Sequence, residues 1–173
     1  MSVWYMLTIV GRDQPGIVAE ISNGLFEAGC QLGETSMMRL GGNFTMMLMV
    51  HSDRTESDIE QRLQSSLTEF GLRLHIDPIE AHLHEHIIPN MRVSVYGADR
   101  PGIVARVTKI LQQQGFNILD LESDVAGSDD KPIYIMHIEG YSQSTATNVE
   151  QALIKEVPSG IDVKVFPIDT LVG

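Results

Sequence analysis

Positive charge is scarce in this chain: Lys and Arg number 12 against 23 Asp and Glu, a net charge of -11 over 173 residues. Nucleic-acid affinity leans on cationic contacts to phosphate, so this balance excludes a broad DNA- or RNA-binding surface. No basic block in either half offsets it. Cysteine is nearly absent. Cys30 stands alone, which rules out an intrachain disulfide and a thiolate metal cluster built from one chain, and leaves it the role of a small buried residue near a helix end. Long apolar runs are missing too: "MSVWYMLTIVG" has no basic leader and meets Arg12-Asp13 too soon for a signal peptide or a membrane span. The expectation is a cytoplasmic protein with no membrane contact. Catalytic signatures are equally sparse. Ser22, Ser36 and Ser94 have no ordered His and acid at recognisable spacing, and neither a G-x-S-x-G elbow, a G-x-G-x-x-G turn nor a phosphate loop occurs. No enzyme activity and no cofactor are expected.

What is present is a repeat. "GRDQPGIVAEI" begins at Gly11 and "GADRPGIVARV" at Gly97, so G-x-D-x-P-G-I-V-A recurs 86 positions on. The flanking patterns recur with it. "VWYMLTIVG" alternates Val3, Tyr5, Leu7 and Ile9 with Trp4, Met6, Thr8 and Val10, apolar on both faces, as a central strand requires. Ile17, Val18, Ile21, Leu25 and Phe26 then line a helix that Gly29 closes. A hairpin follows through Gly41-Gly42-Asn43; Thr55 and Asp58 mark a second helix start, with Ile59, Leu63, Leu67 and Phe70 as its stripe, and "LRLHIDPI" is a last strand. The second half repeats the order. "MRVSVYG" is the strand, Ile103, Val104, Val107, Ile110 and Leu111 the stripe, "FNILDLESDVAG" and "PIYIMHIEG" the hairpin, Thr145 to Glu156 a helix, and "IDVKVFPI" the final strand. The fold class is α+β: two ferredoxin-like β-α-β-β-α-β domains. They are expected over 1–80 and 90–173, with 81–89 as the linker.

The recurring phrase has a physical reading. Asp13 and Asp99 fall where strand gives way to helix and are N-cap candidates; Pro15 and Pro101 fit the first turn, where a missing N–H costs nothing. Gly16 and Gly102 leave the backbone uncovered. The result is a helix N-terminus whose amides and dipole favour a carboxylate or phosphate. A tight strand-to-helix turn of no functional weight satisfies the same residues.

"G-x-D-x-P-G-I-V", followed by Gly and then Gln31 or Asn117 before the next strand, resembles the ACT domain, a small amino-acid-sensing module. The resemblance covers nearly the whole chain. It implies a ligand-binding set of Asp99, Arg100, Pro101, Gly102, Ile103, Asn117 and Ile118 in the second copy, and of Asp13, Gln14, Pro15, Gly16 and Gln31 in the first. It also implies that the amino acid lies against the Gly-rich turn at an interface between two such domains, with the Asn117 position holding its polar groups. Gln31 departs from the Asn of the pattern, which leaves the first copy open to a packing role. A tandem pair with neither a catalytic domain nor a helix-turn-helix is similar to repressors of glycine cleavage genes. That likeness implies a small amino acid ligand, glycine foremost, and a separate DNA-binding transcriptional activator as partner. Small domains with free sheet edges point to a homodimer.

Two constellations remain. His82, His84 and His86 alternate, so a strand would present three imidazoles on one face, enough for a metal-binding regulator; a solvated linker explains them equally simply and is preferred. Met37, Met38, Met46, Met47 and Met49 crowd the first hairpin, either filling the core, the preferred reading, or forming a soft surface for a partner. The latter would make the chain a ligand-free structural or adaptor protein.

Overall fold

A computed structural model describes residues 2–80, 87–98, 101–128 and 131–168. The chain divides into two compact units, Met1–Leu83 and His84–Gly173. In the first, β1 (Val3–Arg12), α1 (Ile17–Glu27), β2 (Gln31–Leu40), β3 (Asn43–Ser52), α2 (Glu56–Phe70) and β4 (Arg73–Ile79) follow one another. The second runs β5 (Met91–Ala98), α3 (Ile103–Gln113), β6 (Asn117–Ser128), β7 (Lys131–Tyr141), α4 (Ala146–Glu156) and β8 (Ile161–Pro167). The sheets are ordered β2-β3-β1-β4 and β6-β7-β5-β8, every pair antiparallel. This is the β-α-β-β-α-β order and central first strand of the ferredoxin-like fold. The expected linker falls largely on 81–86, which lie outside the described residues together with His82, His84 and His86.

Each core sits between one sheet face and its two helices. Tyr5, Leu7 and Ile9 of β1 face Ile17, Ile21 and Leu25 of α1 and Ile59, Leu63 and Leu67 of α2; Met91, Val93 and Val95 meet Val107, Leu111, Val149 and Leu153 in the second unit. The helical stripes are narrower than the sequence pattern predicts. Val18, Phe26 and Val104 are 40%, 76% and 37% exposed, because a helix lying on a sheet buries its i, i+4, i+8 line and leaves residues one position off it at the margin. The methionines also divide. Met46 enters the core, but Met37, Met38 and Met47 are exposed and Met49 is buried on the face away from the helices; core filling explains only one of the five. Cys30 is buried as expected, its thiol 3.4 Å from the Ser52 hydroxyl.

The local signals at turns act through their usual physics. Gly41 and Gly42, with φ of 57° and 76°, give the hairpin tip two successive left-handed residues, a conformation open to glycine and matched to strand twist. Thr55 caps α2: Asp58 N–H donates to its hydroxyl at 3.2 Å, while the Asp58 carboxylate accepts from the Thr55 hydroxyl at 2.7 Å and from its N–H at 3.1 Å. The Thr55 side-chain and backbone hydrogen bonds hold the Asp58 carboxyl below its ordinary pKa. Thr145 caps α4 in the same way, accepting from Asn148 N–H at 3.3 Å. Among the described residues no helix is long and apolar enough to cross a membrane.

The first glycine of the repeated phrase serves packing. A Cβ on Gly11 would stand 2.6 Å from Leu72 Cδ2, and one on Gly97 2.8 Å from the Gly160 carbonyl oxygen. Both mark where the end of the first strand meets the chain leaving the second helix. Gly97→Ala pushes against backbone that cannot rotate away, and forced overpacking of this kind typically costs about 1 to 3 kcal/mol; urea unfolding of the variant is expected to show a loss in that range.

Candidate functional site

The turn between first strand and first helix is built differently from the sequence expectation. The residue capping α1 is Gly16, at φ 99° and ψ -19°, and that capping α3 is Gly102, at φ 84° and ψ 4°. Neither helix has a side-chain cap bond. These angles are those of the third residue of a type II turn, about +80° and 0°, for which Pro at the second position supplies the fixed φ. Pro15 and Pro101 therefore precede the helix and are not part of its first turn. Asp13 is displaced from the cap with them: its N–H donates to the Gly42 carbonyl at 3.0 Å and its carboxylate pairs with Arg39 Nη2 at 2.6 Å. The cap position of α3 is likewise held by Gly102, while Asp99 and Arg100 lie outside the described residues.

The consequence is an uncapped helix start in each copy. The carbonyls of Gly16 and Gly102 accept the first helical bonds, from Glu20 and Arg106 at 3.0 Å each. The N–H groups of the first turn have no helical acceptor. In the first copy a shallow cleft of about 500 Å³ lies against this start, lined by residues including Asp13, Gln14, Gly16, Val18, Ser22 and Met37. Gln14 is already engaged, its Nε2 donating to the Phe70 carbonyl at 3.0 Å at the end of α2. In the second copy a smaller cleft of about 150 Å³ is lined by Pro101, Gly102, Ile103, Arg106, Pro158 and Ile161. Arg106 was not among the sequence candidates. It stands one helical turn beyond Gly102, where the first copy has Glu20, so the copies place opposite charges beside equivalent turns.

The strand-start candidates are far from these turns. Gln31 opens β2 opposite His51, at the Trp4 end of β1, whereas the turn follows the Arg12 end, opposite Asn43. Along β3 from Asn43 to His51, at about 3.3 Å per residue, the separation is roughly 25 Å. Asn117 pairs with Tyr141 and Ala98 with Ile133, which sets the same distance in the second unit. One domain cannot bring turn and strand start to one small ligand. Ile103 is buried in the second core and Ile118 packs against it, so both act first as packing residues. Asn117 and Gln31 are exposed.

The histidines of the described strands have structural partners. His137 Nδ1 lies 3.0 Å from the Ser94 hydroxyl, a pair invisible to a spacing search because β5 and β7 join only in the sheet. Ser94 is 3% exposed, so no substrate reaches its oxygen. His75 pairs with Asp77 at 3.0 Å and the His51 ring lies 4.9 Å from that of Trp4. Among the described residues no group of three or more His, Cys, Asp or Glu is placed to hold a metal.

Comparison with known proteins agrees with this architecture. The ACT-domain pattern matches residues 5–77 and again 91–153. The glycine cleavage system transcriptional repressor of Escherichia coli is 27% identical over 154 residues, covering 86% of this chain and 81% of that protein. Among solved structures, an unknown protein from Galdieria sulphuraria superposes with a TM-score of 0.76 at 24% identity, over 98% of this chain and all of that one. A putative glycine cleavage system transcriptional repressor gives 0.65 at 19% identity, over 97% and 99%; both likenesses concern the fold. With two matched domains and two uncapped Pro-Gly turns, the chain belongs to the ACT-domain family, as a tandem ACT-domain protein related to the glycine cleavage system transcriptional repressors.

Proposed function

We propose that the protein is an amino-acid-responsive regulator, a repressor of glycine cleavage genes that acts through contact with a separate DNA-binding activator. Kinship to a transcriptional repressor and a net charge of -11 support an indirect route to DNA, since the chain itself offers little to neutralise phosphate. Its ligand is a small free amino acid, glycine foremost. The observation that carries this reading is the cleft at the start of α3, where Gly102 leaves the backbone open and Arg106 adds a cation. The ligand carboxylate meets the free amides of the first helical turn and the guanidinium, both favourable to an anion. Its small volume suits a ligand with little side chain. Asp99 and Arg100 flank the site in sequence. Asn117 contributes only from another ACT domain set against the turn, because its own lies at the far end of the sheet.

The first copy favours a different role. Asp13 is tied to Arg39 and Gln14 to the end of α2, so the groups that would face a ligand already serve the turn. It acts as a scaffold or adaptor beside a binding second domain.

Calorimetry of the full chain against the twenty amino acids is expected to show binding of glycine or another small member, weakened at least about 10-fold in Arg106→Gln, a loss of about 1.4 kcal/mol. Absence of heat with every amino acid at millimolar concentration would replace the sensor with a ligand-free adaptor. A mobility-shift assay at about 100 mM salt is expected to leave duplex DNA unbound by the isolated chain. Submicromolar, salt-sensitive binding would overturn the indirect route.

A further inference from the structure

The two sheets share one strand order and register, so each place on the first has a counterpart on the second. On the face of the first sheet away from its helices, four neighbours on β1 and β3 form a square, Met6 opposite Met49 and Thr8 opposite Met47. The same four places in the second sheet hold Arg92 opposite Glu139 and Ser94 opposite His137. These are polar and ionic groups bonded to one another: Arg92 Nε donates to the Glu139 carboxylate at 2.8 Å, and the Ser94 hydroxyl lies 3.0 Å from His137 Nδ1. The fold therefore requires no methionine here. Three thioethers at three corners of one square need another reason.

Their spacing supplies it. Cross-strand partners have Cβ atoms about 5 Å apart, and same-face neighbours along one strand lie about 7 Å apart. A point above the middle of the square is then roughly 4 Å from each Cβ, within reach of a sulfur two bonds further out on an unbranched side chain. Met6, Met47 and Met49 can aim their sulfurs at that one point. The surroundings suit a cation. Trp4, whose ring centroid lies 4.9 Å from that of His51, crosses the sheet to Gly33, where a Cβ would stand 2.9 Å from Trp4 Cζ3 and 3.3 Å from Met49 Cβ. The indole thus walls off the Gly33 side of Met49, which is 7% exposed, while Met47 at 45% leaves the site open to solvent. Asp77 stands opposite Met6 on β4 and adds negative charge beside it.

We propose that Met6, Met47 and Met49 form a binding site for a soft monovalent cation, Cu(I). Neutral thioethers are poor ligands for Mg(II) or Ca(II), which take oxygen, and good ones for Cu(I). The adjacent indole face also attracts a cation. A thioether has no proton to lose, so binding does not weaken as pH falls, unlike that at a site of imidazole, thiolate or carboxylate. This separates the methionine site from any held by His82, His84 and His86.

Trp4 is the one tryptophan of the chain, so its fluorescence reports from the edge of the site. Anaerobic titration of the full chain with Cu(I), and with Ag(I) as a redox-inert probe, is expected to quench it to an equimolar endpoint, with an affinity constant between about pH 5 and 8, where imidazole titrates. Zn(II) at the same concentration is expected to leave it unaltered. Replacing Met6, Met47 and Met49 together by Leu keeps the apolar volume and is expected to weaken binding at least about 10-fold with the circular dichroism unchanged; Met47→Leu alone, at an exposed position, reads the loss if the triple variant does not fold. Replacing His82, His84 and His86 together by Ala retains binding. Absence of quenching by both ions, an affinity that falls as pH drops through the histidine range, an equal response to Zn(II), loss of binding in the histidine variant, or a folded leucine variant that binds as the wild type does overturns the proposal.

Discussion

Each domain depends on one close approach. The end of its central strand lies so near the chain leaving its second helix that only a glycine fits, Gly11 against Gly71 and Leu72, Gly97 against Gly160 and Ile161. That contact fixes where the second helix ends and the last strand begins, and so aligns the last strand beside the first. It also brings the end of α2 beside the Pro-Gly turn, where Gln14 reaches the Phe70 carbonyl and a Cβ on Gly16 would meet the Phe70 ring at 3.6 Å. The exposed helix start is thus shaped from beneath by packing. The residue types of the repeated phrase divide accordingly: the first glycine serves the core, and the Pro-Gly pair serves the turn.

The element order and the core were legible because their signals are local or periodic. Leu7, Ile9, Ile21, Leu63, Val107 and Leu153 follow strand or helix spacing and are all fully buried. The hairpin tip and the capping box at Thr55 depend on residues within four positions of one another. The site was less legible. Asp-x-Pro-Gly reads as a capped helix until the left-handed angles of Gly16 are known, because both arrangements place a small flexible residue before a helix. Arg106 carries no signal in the sequence, since it comes beside Gly102 and Pro158 only in space. Turn and strand start do not meet within one domain, because Gln31 and Asn117 open their strands at the end of the sheet opposite Gly16 and Gly102. Ser94 and His137 meet only through strand register, which no short spacing encodes.

The two copies have kept their architecture while dividing their chemistry. The second offers a cationic helix start and an ionic sheet face. The first has closed its turn with internal bonds and holds Met6 and Met49 where the second has the Arg92–Glu139 pair. A duplicated fold permits this because the covered face and the turn glycines alone secure each domain, leaving the outer face and the residue one turn into the first helix free to diverge.

The tie between Asp13 and the hairpin tip has a mechanical side. Asp13 is joined through its N–H to the Gly42 carbonyl and through its carboxylate to Arg39, while β2 between Gln31 and Leu40 is exposed at every residue. The hairpin is thus anchored at its tip to the loop that starts α1, and along its length β2 is laddered to β3. The loop that sets the start of α1 and the tip of the β2–β3 hairpin are therefore one bonded unit, so a change at either is felt at the other before it reaches the core.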